Sequence, residues 1–362
     1  MRIMKCLQEK TAEFAEAPGA CVLTPYCGSI IRRIATVFPV GAIVFVSTAG
    51  VKAQSHSVAG QASRASNEIG QTVASKPGES SKQEREETIN SSALIKGLRH
   101  LGPTNVSYLA PLCKGLTLQG GIVASLIGYD SLYAKDNFNY TRPWGADFTP
   151  YLMMGVNASY PFNDKLTGAV FVVNGYWHLA NANSVPSSGG QFAYKASSRV
   201  TVKETVLYGP HQSNTSLKFW RFLSDSIVER KTDRVTVAFE YITSTERVDA
   251  PGRPRALMIA GQLPVHWALN KRWRASIRPE VFWDRDGRWT LARQTVKAIT
   301  TTLEYRIPYK ETSTILRLEH RWDDSRGPDG GFFRGAEVRP GVIGLTPAQH
   351  LLIFGLIFTF DH

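Results

Sequence analysis

The chain ends in LLIFGLIFTFDH, Leu351 to His362. A bilayer-spanning helix needs about 20 apolar residues, whereas a strand tilted across a bilayer needs about 9–11. The run therefore has the length of one spanning strand. Its period alone does not decide between a buried core strand and a lipid-facing one. Leu352, Phe354, Leu356, Phe358 and Phe360 alternate on one face, but the opposite face, with Leu351, Ile353 and Ile357, is apolar as well. The reading rests on what precedes it.

From Gly115 onward the chain divides into period-2 segments, not helical ones. Strands are expected near 115–126, 148–162, 166–177, 190–196, 199–209 and 220–231, then 234–246, 256–269, 273–284, 295–308, 314–324 and 350–360. The connections alternate in length. Asn163-Asp164-Lys165, Ser197-Ser198, Thr232-Asp233, Asn270-Lys271-Arg272 and Tyr309 to Ser313 are turn-like. Between them stand the long segments 127–147, 178–189, 210–219, 247–255, 285–294 and 325–349. Short turns at one end and long loops at the other are the asymmetry of an outer-membrane barrel, and a soluble sandwich has no reason to sort its loops this way. The expected fold is all-β: an antiparallel transmembrane β-barrel of about 12 strands, both ends on the short-turn, periplasmic side. The final run closes it.

The facing patterns agree. Val235, Val237, Phe239 and Tyr241 oppose Thr236, Ala238 and Glu240. Leu316, Leu318 and Trp322 oppose Arg317, Glu319, Arg321 and Asp323. Ile299, Leu303, Tyr305 and Ile307 oppose Glu304 and Arg306, and Trp273, Ile277, Val281 and Trp283 oppose Arg274, Arg278, Glu280 and Asp284. In a barrel the apolar face meets lipid, with aromatics near the interfaces, and the charged face lines the interior. Opposite charges can then pair across strands, as Arg306 with Glu319 or Arg317 with Glu304. Glu204 and His320 break the pattern, each falling on the lipid face of its strand.

The leading residues read differently. Arg32-Arg33, the apolar core Ile34 to Ala49 and Val51-Lys52-Ala53 form a signal peptide with core 29–53, exported through the Sec route. Residues 54–113 begin as a Ser-, Gly- and Glu-rich stretch expected to stay flexible in the periplasm, and 114–362 is the barrel. The net charge of +12 is scattered, which argues against nucleic acid. Of the four cysteines only Cys113 lies beyond the leader, so no disulfide framework or metal spacing is expected.

Several segments resemble the putative β-barrel porin-2, OmpL-like family of outer-membrane proteins. They include Asn139-Tyr140-Thr141-Arg142-Pro143-Trp144, Tyr160-Pro161-Phe162-Asn163-Asp164-Lys165-Leu166, Val172-Val173-Asn174-Gly175, Tyr208-Gly209-Pro210 and Trp220-Arg221-Phe222. Phe239-Glu240-Tyr241, Arg278-Pro279-Glu280, Leu303-Glu304-Tyr305 and Arg317-Leu318-Glu319 follow. The likeness covers roughly 115–362 and no part of 1–95. It implies a barrel that acts as a pore, with no catalytic residues. His320 stands where such proteins place an aromatic, and Trp177 also departs. The ending Gly355-Leu356-Ile357-Phe358-Thr359-Phe360 resembles the signal read by the barrel assembly machinery, except that Ile353 replaces a polar residue and Asp361-His362 follow the last aromatic.

The expected function is passive diffusion of small hydrophilic solutes through the outer membrane of a Gram-negative-type cell. The lining candidates are Arg221, Asp225, Glu240, Arg274, Arg278, Glu280, Glu304, Arg306, Arg317, Glu319, Arg321 and Asp323. The balance of charges predicts little ion preference, slightly anionic. Loop 127–147 mixes aromatics with both charges and is a candidate constriction, through Tyr133, Asp136, Tyr140, Arg142 and Trp144. Twelve strands leave a narrow bore, so a closed structural or adhesive barrel with binding loops is the alternative. An outer-membrane hydrolase built on His320 comes third. No His-Glu-x-x-His and no Gly-x-Ser-x-Gly is present, so neither a metal, a cofactor nor a reaction is expected.

Overall fold

A computed structural model describes residues 102–176, 183–212, 217–309, 312–339 and 342–360. The leader and most of the segment after it, together with Trp177, lie outside the described residues. Sixteen strands are described. They are β1 (Thr104–Ala110), β2 (Leu116–Ala124), β3 (Leu152–Pro161), β4 (Leu166–Val173), β5 (Ser187–Lys195), β6 (Val200–Pro210), β7 (Trp220–Lys231) and β8 (Val235–Arg247). The series continues with β9 (Arg255–Gln262), β10 (Val265–Ala268), β11 (Trp273–Asp284), β12 (Gln294–Tyr309), β13 (Thr312–Arg326), β14 (Phe332–Arg339), β15 (Val342–Thr346) and β16 (Ala348–Phe360).

One antiparallel sheet runs β1 to β8 in chain order, then β10, β11, β12, β13 and β16, with β9 also between β8 and β11. β9 and β10 are two halves of one spanning strand, interrupted at Leu263-Pro264. Proline has no N–H for the ladder, but its carbonyl still accepts from the Ala238 N–H at 3.0 Å, and Leu263 N–H reaches the Pro279 carbonyl at 3.0 Å. Counting that pair once, the expected twelve strands are all found. β1 adds a thirteenth, and β14 with β15 forms a separate hairpin within the last long loop. β1 lies ahead of the expected barrel start.

The short turns close by side-chain capping. Asn163 Oδ1 accepts the N–H groups of Lys165 and Leu166 at 2.8 and 2.9 Å, and Asn270 Oδ1 accepts those of Arg272 and Trp273, both at 2.9 Å. Thr232 Oγ1 takes the Val235 N–H at 3.0 Å. These are Asx- and ST-turns, which let three or four residues reverse a strand.

The alternation fixes what faces where. On β12, Val296, Ala298, Thr300, Thr302 and Glu304 are buried while Ile299, Leu303 and Ile307 are exposed. β13 repeats this, with Arg317, Glu319, Arg321 and Asp323 inward and Leu316, Leu318 and Trp322 outward. The apolar belt is therefore outside. Trp273 and Tyr305 meet at its short-turn edge with ring centroids 4.8 Å apart. Glu204 does lie on the outer face without a slip of register, because Ser224 and Ser226 of β7 share that face and donate their hydroxyls to its two oxygens, Ser224 at 2.6 Å.

Close approach of backbones makes some strand glycines obligatory. A Cβ on Gly155 would lie 2.1 Å from the Val172 carbonyl oxygen and 2.7 Å from Val173 Cα, whereas one on Gly261 would meet nothing nearer than 3.5 Å. Gly155→Ala is expected to cost about 3 kcal/mol or more through overpacking against rigid backbone. Gly261→Ala is expected to be neutral or slightly stabilising. Thermal unfolding of the two refolded variants, read from heat-modifiable gel migration, checks the pair.

Candidate functional site

The long connection between β2 and β3 does not extend away from the sheet. It runs inside it, stiffened by 3-10 turns at Ala134–Asp136 and Ala146–Phe148, and its backbone is held by side chains from the surrounding wall. Gly128 N–H donates to Asp225 Oδ2 on β7 and Tyr129 N–H to Glu240 Oε1 on β8, each at 2.7 Å. Tyr140 and Thr141 N–H donate to the two oxygens of Glu319 on β13, at 2.5 and 2.8 Å. Trp144 N–H donates to Glu280 on β11 at 2.7 Å, and its indole N–H to Asp323 on β13 at 2.9 Å.

Arginines take the loop carbonyls. Arg278 donates to Thr141 O at 2.7 Å, Arg321 to Arg142 O at 2.6 Å, and Arg317 to Ala134 O and Asn137 O at 2.7 and 2.5 Å. Uncharged groups complete the hold. Asn139 Nδ2 donates to Thr302 Oγ1 at 2.7 Å and lies 3.3 Å from Ser276 Oγ. Phe138 stacks on His266, centroids 4.2 Å apart. On the far side, the Leu126 carbonyl accepts from Gln191 of β5 at 2.7 Å and from Thr205 of β6 at 3.1 Å. A chain of some twenty residues touching strands from β5 to β13 is one that the sheet wraps around.

All twelve sequence candidates on the wall point inward; ten are buried, and Arg274 and Arg306 are part-exposed. Arg317 bonds Glu304 at 2.7 Å, as expected from the register. Arg306 departs from expectation: it bonds Glu304 at 2.5 Å, because Ile315 and not an acid lies opposite it, and Glu319 is committed to the loop. Arg274 lies 4.0 Å from Glu304. Arg321 bridges Glu280 and Asp323, both at 2.9 Å. Arg221 is paired with Glu246 and lies between the rings of Tyr176 and Trp289, 5.2 and 5.3 Å from their centroids. Of the loop candidates, Arg142 folds back on Leu132 O at 2.7 Å and stacks on Tyr151 at 3.9 Å. Tyr133 and Tyr140 remain part-exposed, and Asp136 closes the first 3-10 turn.

Three features were missed from sequence. Glu246 and Asp284 anchor the outer loops, Glu246 through Arg288 at 2.8 Å and Asp284 through the N–H groups of Arg288, Trp289 and Thr290. Both sit at inward positions of their strands, so parity marked them. Beyond the strand ends, Arg293 holds the Asp329 carboxyl below its usual range by a 2.6 Å hydrogen bond. Second, the interior is layered: Val123, Met153, Phe171, Val173, Leu207, Leu223, Ile242, Met258, Phe282 and Val296 form an apolar cluster at the long-loop end. Third, the inner face of β1 to β6 towards the short turns carries amides and hydroxyls. Gln119 bonds Ser107 at 3.1 Å and Asn157 at 3.2 Å. Ser159, Gln191 and Thr201 are half-buried there and Lys203 is exposed.

The family model described as putative beta-barrel porin-2, OmpL-like, matches residues 42–360. The chain belongs to this family. The porin-2 match begins well before the region in which the sequence likeness was recognised, and so reaches into the stretch left outside it. Two solved structures are similar in fold. An anion-selective porin from Comamonas acidovorans has a TM-score of 0.46 and 8% identity, covering 71% of this chain and 77% of that one. OmpT (in-vitro folded), an outer membrane protein of Vibrio cholerae, has a TM-score of 0.46 and 11% identity, covering 70% and 80%. No curated protein matches the chain. As a porin-2 barrel it is an outer-membrane protein, with the apolar belt in contact with lipid.

Beside Pro143, Gly145, Glu240 and Glu280 the loop closes against the wall without leaving a water-sized space. An ordinary small-molecule site needs about 300–1,000 Å³, so the loop and wall form a seat, not a binding pocket. Glu319 is the seat's most heavily used acceptor, since Thr302 Oγ1 also donates to it at 2.6 Å. Glu319→Ala leaves two loop N–H groups without acceptors and is expected to destabilise the seated loop by about 3–5 kcal/mol. Limited proteolysis of the folded barrel should then show cleavage within 131–145 that the unaltered barrel resists.

Proposed function

We propose that this porin-2 barrel is a passive channel for small hydrophilic solutes, closed in the present conformation and opened by displacement of the loop between β2 and β3. The observation that supports it is how the loop is held. Its middle is seated by hydrogen bonds from fixed wall side chains to its backbone, each of which can be exchanged for water, while Ile127, Trp144 and Phe148 anchor its two ends in the apolar layer. On loop departure the acids and arginines of β7 to β13 become wetted groups of both signs, and Arg221, Asp225, Glu240, Arg274, Arg278, Glu280, Glu304, Arg306, Arg317, Glu319, Arg321 and Asp323 line the passage. The polar face of β1 to β6, with Lys203 as its charge, supplies a vestibule toward the periplasm. The apolar layer at the long-loop end sets the narrow point, where dewetting adds to the barrier. No reaction is assigned.

The leader directs Sec export and is cut after Ala53, and the strand Ala348–Phe360 is the element read by the barrel assembly machinery. The apolar layer also favours a second reading, a permanently sealed barrel that presents binding loops.

Planar-bilayer recording separates the two readings. The intact barrel is expected to show infrequent openings. Removal of residues 131–141, or Glu319→Ala combined with Arg317→Ala, is expected to raise open probability about tenfold or more, in keeping with the loss of at least 1.4 kcal/mol of seating energy. Silence of all three proteins, each folded by heat-modifiability, establishes the sealed barrel instead.

A further inference from the structure

Two imidazoles interrupt the lipid-facing wall of β13 and β16. His320 lies opposite Leu352 and His350 opposite Trp322, so the two rings are diagonal neighbours on the same outer face. His320 Nε2 and His350 Nδ1 are 3.2 Å apart, sharing a hydrogen bond in which either ring can donate. The rings are 25° from parallel with centroids 5.4 Å apart, and both are exposed. His350 is two residues inside the start of β16 at Ala348. At about 3.4 Å per residue it lies roughly 7 Å along the strand from its long-loop end. The pair therefore stands at the level of Trp322, near the outer interface and away from the middle of the belt.

We propose that His320 and His350 form a chelating site for a first-row divalent transition-metal cation on the outer wall. The separation of the two nitrogens is the main argument. Metal–nitrogen bonds of about 2.0–2.1 Å place two imidazole nitrogens about 2.9 Å apart at a right angle and about 3.3 Å apart at the tetrahedral angle. The observed 3.2 Å lies between these limits, so a cation can replace the shared proton with little movement of either backbone.

The backbone is unable to drift, because β13 and β16 pair without a bulge from Thr312↔Phe360 to Asp324↔Ala348. The remaining coordination positions face away from the barrel and are filled by water. Imidazole pairs of this kind favour copper over zinc. The same geometry argues against the hydrolase reading. The side chain hydrogen-bonded to His320 is a second histidine, and Thr301, the residue opposite it on β12, uses its hydroxyl on the His320 carbonyl at 3.4 Å.

The test uses the folded full-length barrel without an affinity tag, titrated with Cu²⁺ and separately with Zn²⁺. One site per chain is expected, with a two-nitrogen Cu²⁺ signature in electron paramagnetic resonance, and binding tighter for Cu²⁺. His320→Gln and His350→Gln should each weaken it at least about tenfold, because either removes the chelate. The double variant should lose the residual one-nitrogen binding as well. Both positions are exposed, so the variants are expected to keep wild-type heat-modifiability. Zn²⁺ should raise the unfolding temperature of the wild type but of neither variant. Equal Cu²⁺ affinity in the wild type and His350→Gln, or a one-nitrogen signature in the wild type, overturns the proposal.

Discussion

Every backbone N–H and C=O in a membrane wall must be paired within the protein, since lipid offers no partner. The continuous antiparallel ladder from β1 to β16 is the answer to that demand, and the rest of the molecule follows from it. A ladder with period 2 gives each strand one face outward and one inward. Lipid then selects the outward set, which is why Ile299, Leu303, Leu318 and Phe354 are exposed while Thr300, Thr302, Glu304 and Glu319 are buried. The wall also tolerates its exceptions on the same terms. Glu204 survives on the outer face with Ser224 and Ser226 as donors, and His320 with His350 as its partner.

The interior raises the same problem a second time. A wall that turns Arg278, Arg317, Arg321, Glu240, Glu280 and Glu319 inward has buried charges, and buried charge is stabilising only when paired and hydrogen-bonded. A loop folded into that space has a backbone in need of donors and acceptors. Each deficit meets the other: carboxylates take the N–H groups of Gly128, Tyr129, Tyr140, Thr141 and Trp144, and guanidinium groups take the carbonyls of Ala134, Asn137, Thr141 and Arg142. Because the wall recognises main-chain atoms, the seat depends on the path of the loop more than on its side chains. Tyr129, Phe138, Asn139 and Trp144 add side-chain contacts of their own, to Glu229, His266, Thr302 and Asp323.

This division explains what was legible in the sequence. Strand period and loop sorting are local properties, so the twelve strands, their turns and the direction of each side chain follow from residue order alone. The inward acids and arginines were legible for the same reason. So was the cross-strand pair Arg317 with Glu304, but the partners in the loop were not, because a contact such as Glu319 with Tyr140 spans 179 residues and depends on where a loop lies in three dimensions. Arg306 and Glu319 show the limit clearly. Both face inward as expected, yet the register sets Ile315 opposite Arg306, and the loop claims Glu319. The apolar layer escaped notice because Phe171, Leu207, Ile242 and Phe282 occupy inward positions in strands whose outer faces are also apolar, so alternation carried no contrast there. β1 escaped because Asn105 and Ser107 alternate with Val106 and Tyr108 over only seven residues, too short a run to stand out within the apolar stretch from Leu94 to Cys113.

That short strand alters the topology. β2 rises from the short turns to the long loops and β16 descends, so twelve strands alone would close through an antiparallel β2–β16 ladder. β1 occupies the free edge of β2 along Leu116–Ile122 and descends as β16 does. The two closures exclude one another: with β1 in place, the described strands can seal the wall only by a parallel seam between β1 and β16. Among the described residues β1 is paired only with β2, and β16 only with β13. The outer face of β1 carries Val106 and Tyr108, both exposed, and its inner face carries Asn105 and Ser107, hydrogen-bonded to each other at 3.1 Å. Apolar outside and polar inside is also the pattern of β2 and β3 beside it, where Gln119 and Asn157 face inward. β1 is thus built as a wall strand and not as a plug. Among the described residues the thirteen wall strands place the first, at Thr104, at the long-loop end, opposite to the side that an even barrel requires.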